Sequence, residues 1–100
     1  METDLFQVRI EQESIDDLKD RLKRTRWPDE IADSGWKYGS NLEYVKELVD
    51  YWTNRFDWRA AEEKINAFHN CTATIDGMKI HFIHERGKGP NPTPLVITHG

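Results

Sequence analysis

Phe6, Val8 and Ile10 alternate with Gln7, Arg9 and Glu11, and a period of two predicts a short strand with one buried face. The period then lengthens. Ser14 followed by Asp17 has the spacing of a capping box, and Ile15, Leu18 and Leu22 recur at helical intervals behind it. Asp16 and Asp17 lie at the positive end of this helix, with Lys23, Arg24 and Arg26 at the negative end. Trp27-Pro28 closes it, because the residue before a proline is pushed out of the α region.

No period holds from Asp29 to Gly39, where Gly35 and Gly39 bracket Trp36 and Tyr38. This stretch reads as an aromatic-bearing loop. Ser40 with Glu43 opens a stronger helix whose apolar stripe runs through Leu42, Val45, Leu48, Val49, Trp52 and Phe56. Asp57 can cap a third helix carrying Trp58, Ala61, Ile65 and Phe68. Past Asn70 the pattern returns to strands. Thr72 to Ile75 lead into Asp76-Gly77, a two-residue type I′ turn signal, and Met78, Ile80, Phe82 and His84 then alternate with Lys79, His81, Ile83 and Glu85. The proline-rich run from Gly87 to Pro94 suits neither a helix nor a central strand. Leu95, Val96 and Ile97 form a continuous apolar run, as in a strand buried on both faces of a parallel sheet, and Thr98-His99-Gly100 follows.

A strand buried on both faces needs neighbours and covering helices, and none follow it. The 100 residues are therefore expected to be part of a larger fold, unstable or self-associating alone. Composition agrees with a folded chain. Hydrophobic residues make up 37% and charged residues 32%, with four Trp, four Phe and three Tyr to be packed. The charge of −4 argues against a nucleic-acid partner, which would call for a concentrated basic surface. One cysteine, Cys71, excludes an internal disulfide. No apolar run approaches the length that spans a bilayer, and no signal peptide is evident, so a cytoplasmic protein without a membrane anchor is expected.

Three groups of residues then suggest a family. Trp36-x-Tyr38-Gly39, the run from Asn41 to Leu48 and Tyr51-Trp52 with Phe56-Asp57-Trp58-Arg59 resemble the N-terminal meander of epoxide hydrolases of the microsomal type. The segment from Ile75 to His84 resembles the hairpin that begins their catalytic domain. Pro94 to Gly100 is similar to the strand leading into their HGxP oxyanion loop. The resemblance covers nearly the whole chain. It implies an α/β fold in which residues 1–70 form the helical N-terminal meander. Residues 71–100 would begin an α/β-hydrolase catalytic domain with its first hairpin and first parallel strand, truncated there.

The resemblance also implies a reaction. In that family an aspartate on a nucleophile elbow attacks an epoxide carbon to give a covalent ester. Two lid tyrosines donate to the leaving oxygen, a histidine activated by a carboxylate directs water at the ester, and backbone N–H groups hold the oxyanion. No cofactor is implied, and the substrate is a small-molecule epoxide. Only His99 and Gly100 match a motif of this machinery, as the first two positions of HGxP. No Gly-x-Asp-x-Gly or Gly-x-Ser-x-Gly elbow occurs, so these residues alone are expected to be inactive. Two rivals stand beside this reading: a non-catalytic interaction module, and a parent enzyme of the serine type.

The remaining candidates have plainer readings. His81 and His84 are three apart on a strand and face opposite sides, and His69-x-Cys71 lacks further ligands, so no metal is expected. His99 is expected to shape the loop rather than act as a base. The five basic residues between Lys19 and Arg26 read as a solvated helix face. Trp36 and Tyr38 are candidates for lining a substrate tunnel or supporting a lid, and Trp52 and Trp58 for packing.

Overall fold

Asp76 and Gly77 adopt φ values of 49° and 80°, the left-handed pair that a type I′ turn demands and that asparagine, aspartate and glycine tolerate best. The computed structural model describes residues 2–100, and this turn organises its only sheet among them. β1 (Thr3–Leu5), β2 (Asn70–Ile75) and β3 (Met78–Ile83) lie in the order β1-β2-β3, each pair antiparallel. Ile75 pairs with Met78 across the turn and Asn70 with Ile83 at the open end. The helices are α1 (Gln12–Lys23), α2 (Leu42–Asn54) and α3 (Trp58–Asn66).

The chain divides into two compact units. One holds the residues up to Val8 together with Glu62–Gly100; the other is Arg9–Ala61.

In the sheet unit the expected 6–10 strand is absent, and β1 sits earlier. Phe6 still donates its N–H to Asn70 O at 2.9 Å, but the backbone of Val8 is satisfied by a side chain. Its N–H donates to Asn66 Oδ1 and its carbonyl accepts from Asn66 Nδ2, both at 2.8 Å. One amide thus replaces two ladder bonds, which lets the chain leave the sheet. The expected strand at Leu95, Val96 and Ile97 is also absent. These residues are irregular and 79%, 89% and 81% exposed. Ladder bonds need a neighbouring strand, and no described residue of the sheet unit supplies one to this run.

The three helices form where their periodicity places them, with displaced ends; α1 and α2 lie in the helical unit, and α3 begins there. Ser14 lies inside α1, its N–H bonded to Glu11 O, and Glu11 occupies the cap position. The helix stops at Lys23, short of Trp27-Pro28, where Thr25 Oγ1 donates to Leu22 O at 2.6 Å. Asn41 rather than Ser40 caps α2, accepting the Tyr44 N–H at 2.9 Å. Asp57 caps α3 as expected, accepting from Ala60 N at 3.1 Å. α3 ends at Asn66, which leaves Phe68 beyond it and 53% exposed.

Apolar burial is scant. Ile15 and Ala73 are the buried apolar residues. Polar groups fill other buried positions, each with a partner. Thr53 donates to Val49 O, and Asn70 Nδ2 donates to Ile65 O and Phe68 O. Asn70 is 3% exposed and joins the end of α3 to the start of β2. Replacing it as Asn70→Ala strips both carbonyls of this donor. The substitution should destabilise the sheet unit by about 1–3 kcal/mol, read as a lowered midpoint in urea unfolding followed by circular dichroism.

Candidate functional site

Trp36 and Tyr38 stand on a loop that the backbone bends sharply: Asp33, Gly35 and Gly39 all have positive φ. The loop is tied to α2 by a hydrogen bond, in which Glu30 Oε2 accepts the Leu42 N–H at 2.7 Å. Trp36 packs its ring on Tyr44 with centroids 5.2 Å apart, and Lys37 Nζ lies 5.2 Å from the Tyr38 ring centroid. Both residues nevertheless remain more than half exposed, at 60% and 68%. Tyr38 borders a concavity of about 390 Å³ with Trp27, Pro28, Ile31, Leu42 and Val45. His99 and Gly100 belong to the sheet unit, in the irregular segment that follows Leu95, Val96 and Ile97.

A second concavity, about 550 Å³, opens in the helical unit. Ile15 and Leu18 of α1, Trp52 and Phe56 at the end of α2, and Trp58 of α3 supply its apolar surface. Arg59 closes one side by donating from Nη1 to Ile10 O at 2.8 Å and from Nη2 to Gln12 Oε1 at 3.2 Å. Sequence reasoning placed Trp52 and Trp58 in the packing and did not foresee a groove. The available signal was the apolar stripe of α2 running through Trp52 to Phe56, directly before the next helix cap.

The histidines separate as their register requires. His81 lies opposite Thr72. Its Nε2 sits 2.9 Å from Asn70 Oδ1, and its ring packs 5.1 Å from that of Phe6. Asn70 Nδ2 already donates twice, so Oδ1 is an acceptor and His81 must carry a proton on Nε2. His84 donates its N–H to His69 O. His69 is held by Glu85, whose Oε1 accepts the His69 backbone N–H at 2.7 Å while Oε2 lies 2.9 Å from His69 Nδ1. Among the described residues, no three His, Cys, Asp or Glu side chains converge as metal ligands.

Helices on a meander, an antiparallel hairpin and an irregular apolar segment ending in His-Gly describe the leading part of an α/β-hydrolase, and the comparisons with known proteins give it a family. The family described as epoxide hydrolase N terminus matches residues 3–100, and the chain belongs to it. A Stigmatella aurantiaca protein named as a candidate epoxide hydrolase is 42% identical over 95 residues. Pig (Sus scrofa) epoxide hydrolase 1 is 36% identical over 99 residues. In each case the match covers 95% of this chain and 22% of the relative. Among solved structures, Aspergillus niger epoxide hydrolase superposes with a TM-score of 0.76 at 29% identity, covering 83% of this chain and 22% of that one. The chain thus spans about a fifth of the length of these relatives, at their N-terminal end.

The backbone hydrogen bond from His69, together with the contact to its ring, lowers the Glu85 carboxyl below the ordinary carboxylate range. The sign follows directly. A depressed carboxyl steadies the fold while ionised and loses that contribution as the pH falls through its lowered value. Acid should therefore loosen the His69 end of β2, and Glu85→Gln should remove this part of the acid sensitivity. An NMR titration of the Glu85 side-chain carbon, with His69 amide exchange followed in parallel, reads both effects.

Proposed function

We propose that the chain is the N-terminal part of an epoxide hydrolase, which in the whole protein opens small-molecule epoxides to vicinal diols through an aspartyl ester. On this reading residues 1–70 are the meander and residues 71–100 begin the catalytic domain. His99 and Gly100 open the HGxP oxyanion loop, and Trp36 and Tyr38 support the substrate tunnel or lid. On this reading the enzyme works without a cofactor in the cytoplasm, and these 100 residues self-associate when separated from the rest. No helix among the described residues is long and apolar enough to cross a membrane.

The observation that carries the reading is the exposure of Leu95, Val96 and Ile97 just ahead of His99-Gly100, within a chain that matches the epoxide hydrolase N terminus over residues 3–100. Three consecutive aliphatic residues in water forgo roughly 1.5–3 kcal/mol each relative to burial. A surrounding sheet would recover it. It would also fix the His-Gly backbone, so that the N–H of the residue after Gly100 could meet an oxyanion.

The test is turnover. The protein extended through a Gly-x-Asp-x-Gly elbow should convert a styrene-oxide-type substrate to its diol and trap a covalent ester in single turnover, while the 100 residues alone form no diol. A Gly-x-Ser-x-Gly elbow with esterase activity and no diol would overturn the proposal.

A further inference from the structure

The connection that leads from β3 to His99 and Gly100 is stiffer than its lack of regular structure suggests. Glu85, at its head, is pinned to His69 just ahead of β2: Oε1 accepts the His69 N–H at 2.7 Å, and Oε2 lies 2.9 Å from Nδ1. Further on, Gly89 turns the chain at a φ of 93°. Pro90, Pro92 and Pro94 then alternate with Asn91 and Thr93. Each proline fixes its own φ and pushes the residue before it into the extended region, so this run is a semi-rigid rod. The rod packs back on Gly87. A Cβ placed there would overlap the Pro92 Cβ and lie 3.2 Å from its Cγ. Gly87 is not among the glycines with positive φ, so the close approach, and not backbone freedom, requires glycine here. At every other glycine no described atom lies within 4 Å of the same position.

We propose that Gly87 is a positioning residue for the oxyanion loop. By carrying no side chain it lets Pro92 close onto the backbone after β3, and that contact sets where the run to His99 and Gly100 starts. The proposal rests on the reading of His99 and Gly100 as the opening of that loop, and it names the residue that aims them. The lever is short. Pro94 directly precedes Leu95, so a push on Pro92 passes through Thr93-Pro94 with little backbone rotation to absorb it. A methyl group on Gly87 must displace Pro92, because atoms held in a ring cannot rotate away. The consequence falls on one half of the reaction. Water adding to the ester carbonyl drives charge onto its oxygen, which the backbone N–H groups hold. In the ester-forming step the charge develops on the epoxide oxygen, which the lid tyrosines serve. A misplacement of about 1 Å costs on the order of a hundredfold in rate.

The experiment is a double-mutant cycle on the full-length protein, with Gly87→Ala and Pro92→Gly made singly and together. Ester formation and ester hydrolysis are timed separately in single turnover of a styrene-oxide-type substrate. We expect Gly87→Ala to slow ester hydrolysis by about ten- to a hundredfold and to leave ester formation unchanged. In the Pro92→Gly background the same substitution should cost nothing further, since no ring remains to be displaced. Pro92→Gly alone removes the contact without creating an overlap. It should slow hydrolysis in the same selective way, which keeps the test decisive if Gly87→Ala does not fold. A loss equal in both backgrounds, an equal slowing of the two steps, or wild-type rates in the single variants would each overturn the proposal. Amide NMR shifts of His99 and Gly100 in the same four proteins keep the two ideas separable. They should move with Gly87→Ala, and only while Pro92 is present. Shifts coupled in this way, with no ester or diol from the wild type, sink the epoxide hydrolase reading and leave the positioning in place. Diol formation with uncoupled rates and shifts sinks the positioning alone.

Discussion

Burial of apolar surface is what this chain most lacks, and most of its features follow from that shortage. Ile15 and Ala73 are the apolar residues removed from water, while Leu48, Tyr51 and Trp52 on α2 and Met78, Ile80 and Ile83 on β3 stay exposed. A sheet or helix face of this kind is stable when it meets another layer. Local order meanwhile rests on polar groups that need no large core. The Asn66 amide serves both backbone groups of Val8, Asn70 ties α3 to β2, and the Arg59 guanidinium holds Ile10 and Gln12. These bonds fix geometry at modest net energy. The apolar faces are left for something else to cover.

Function follows from the same division. Within the sheet unit the hairpin is followed in the chain by the segment that bears His99 and Gly100. That segment has no regular structure of its own here. An oxyanion site requires donors held in place before the charge develops. The family match and the superposition on Aspergillus niger epoxide hydrolase put the chain at the N-terminal end of that family, and under our proposal it supplies support and the approach to such a site.

The parts of the fold that were legible in the sequence are those decided locally. Asp76-Gly77 specifies its turn because few residue pairs accept positive φ twice, and the apolar periods of α1, α2 and α3 fix where helices lie. Their ends were less legible because neighbouring side chains compete for one role. Ser40 and Asn41 are both good caps, and Asn41 is the one whose oxygen reaches the Tyr44 N–H. The strand read at Phe6, Val8 and Ile10 failed for a non-local reason, the Asn66 amide 58 residues away from Val8. The run of Leu95, Val96 and Ile97 has strand composition, but a strand is a pairing, and the described residues offer it none. At the candidate site, the His-Gly motif and the aromatic loop were readable as words. The groove at Trp52 and Phe56 was not, since it arises from how α1 and α2 pack.

The most direct test of the apolar-cover account is amide hydrogen exchange at Val96, measured in the 100-residue chain and in the protein extended beyond Gly100. Exchange near the unprotected rate in the short chain and strong protection in the extended one is the predicted pair of results. Protection already present in the short chain, or none in either, would contradict the account.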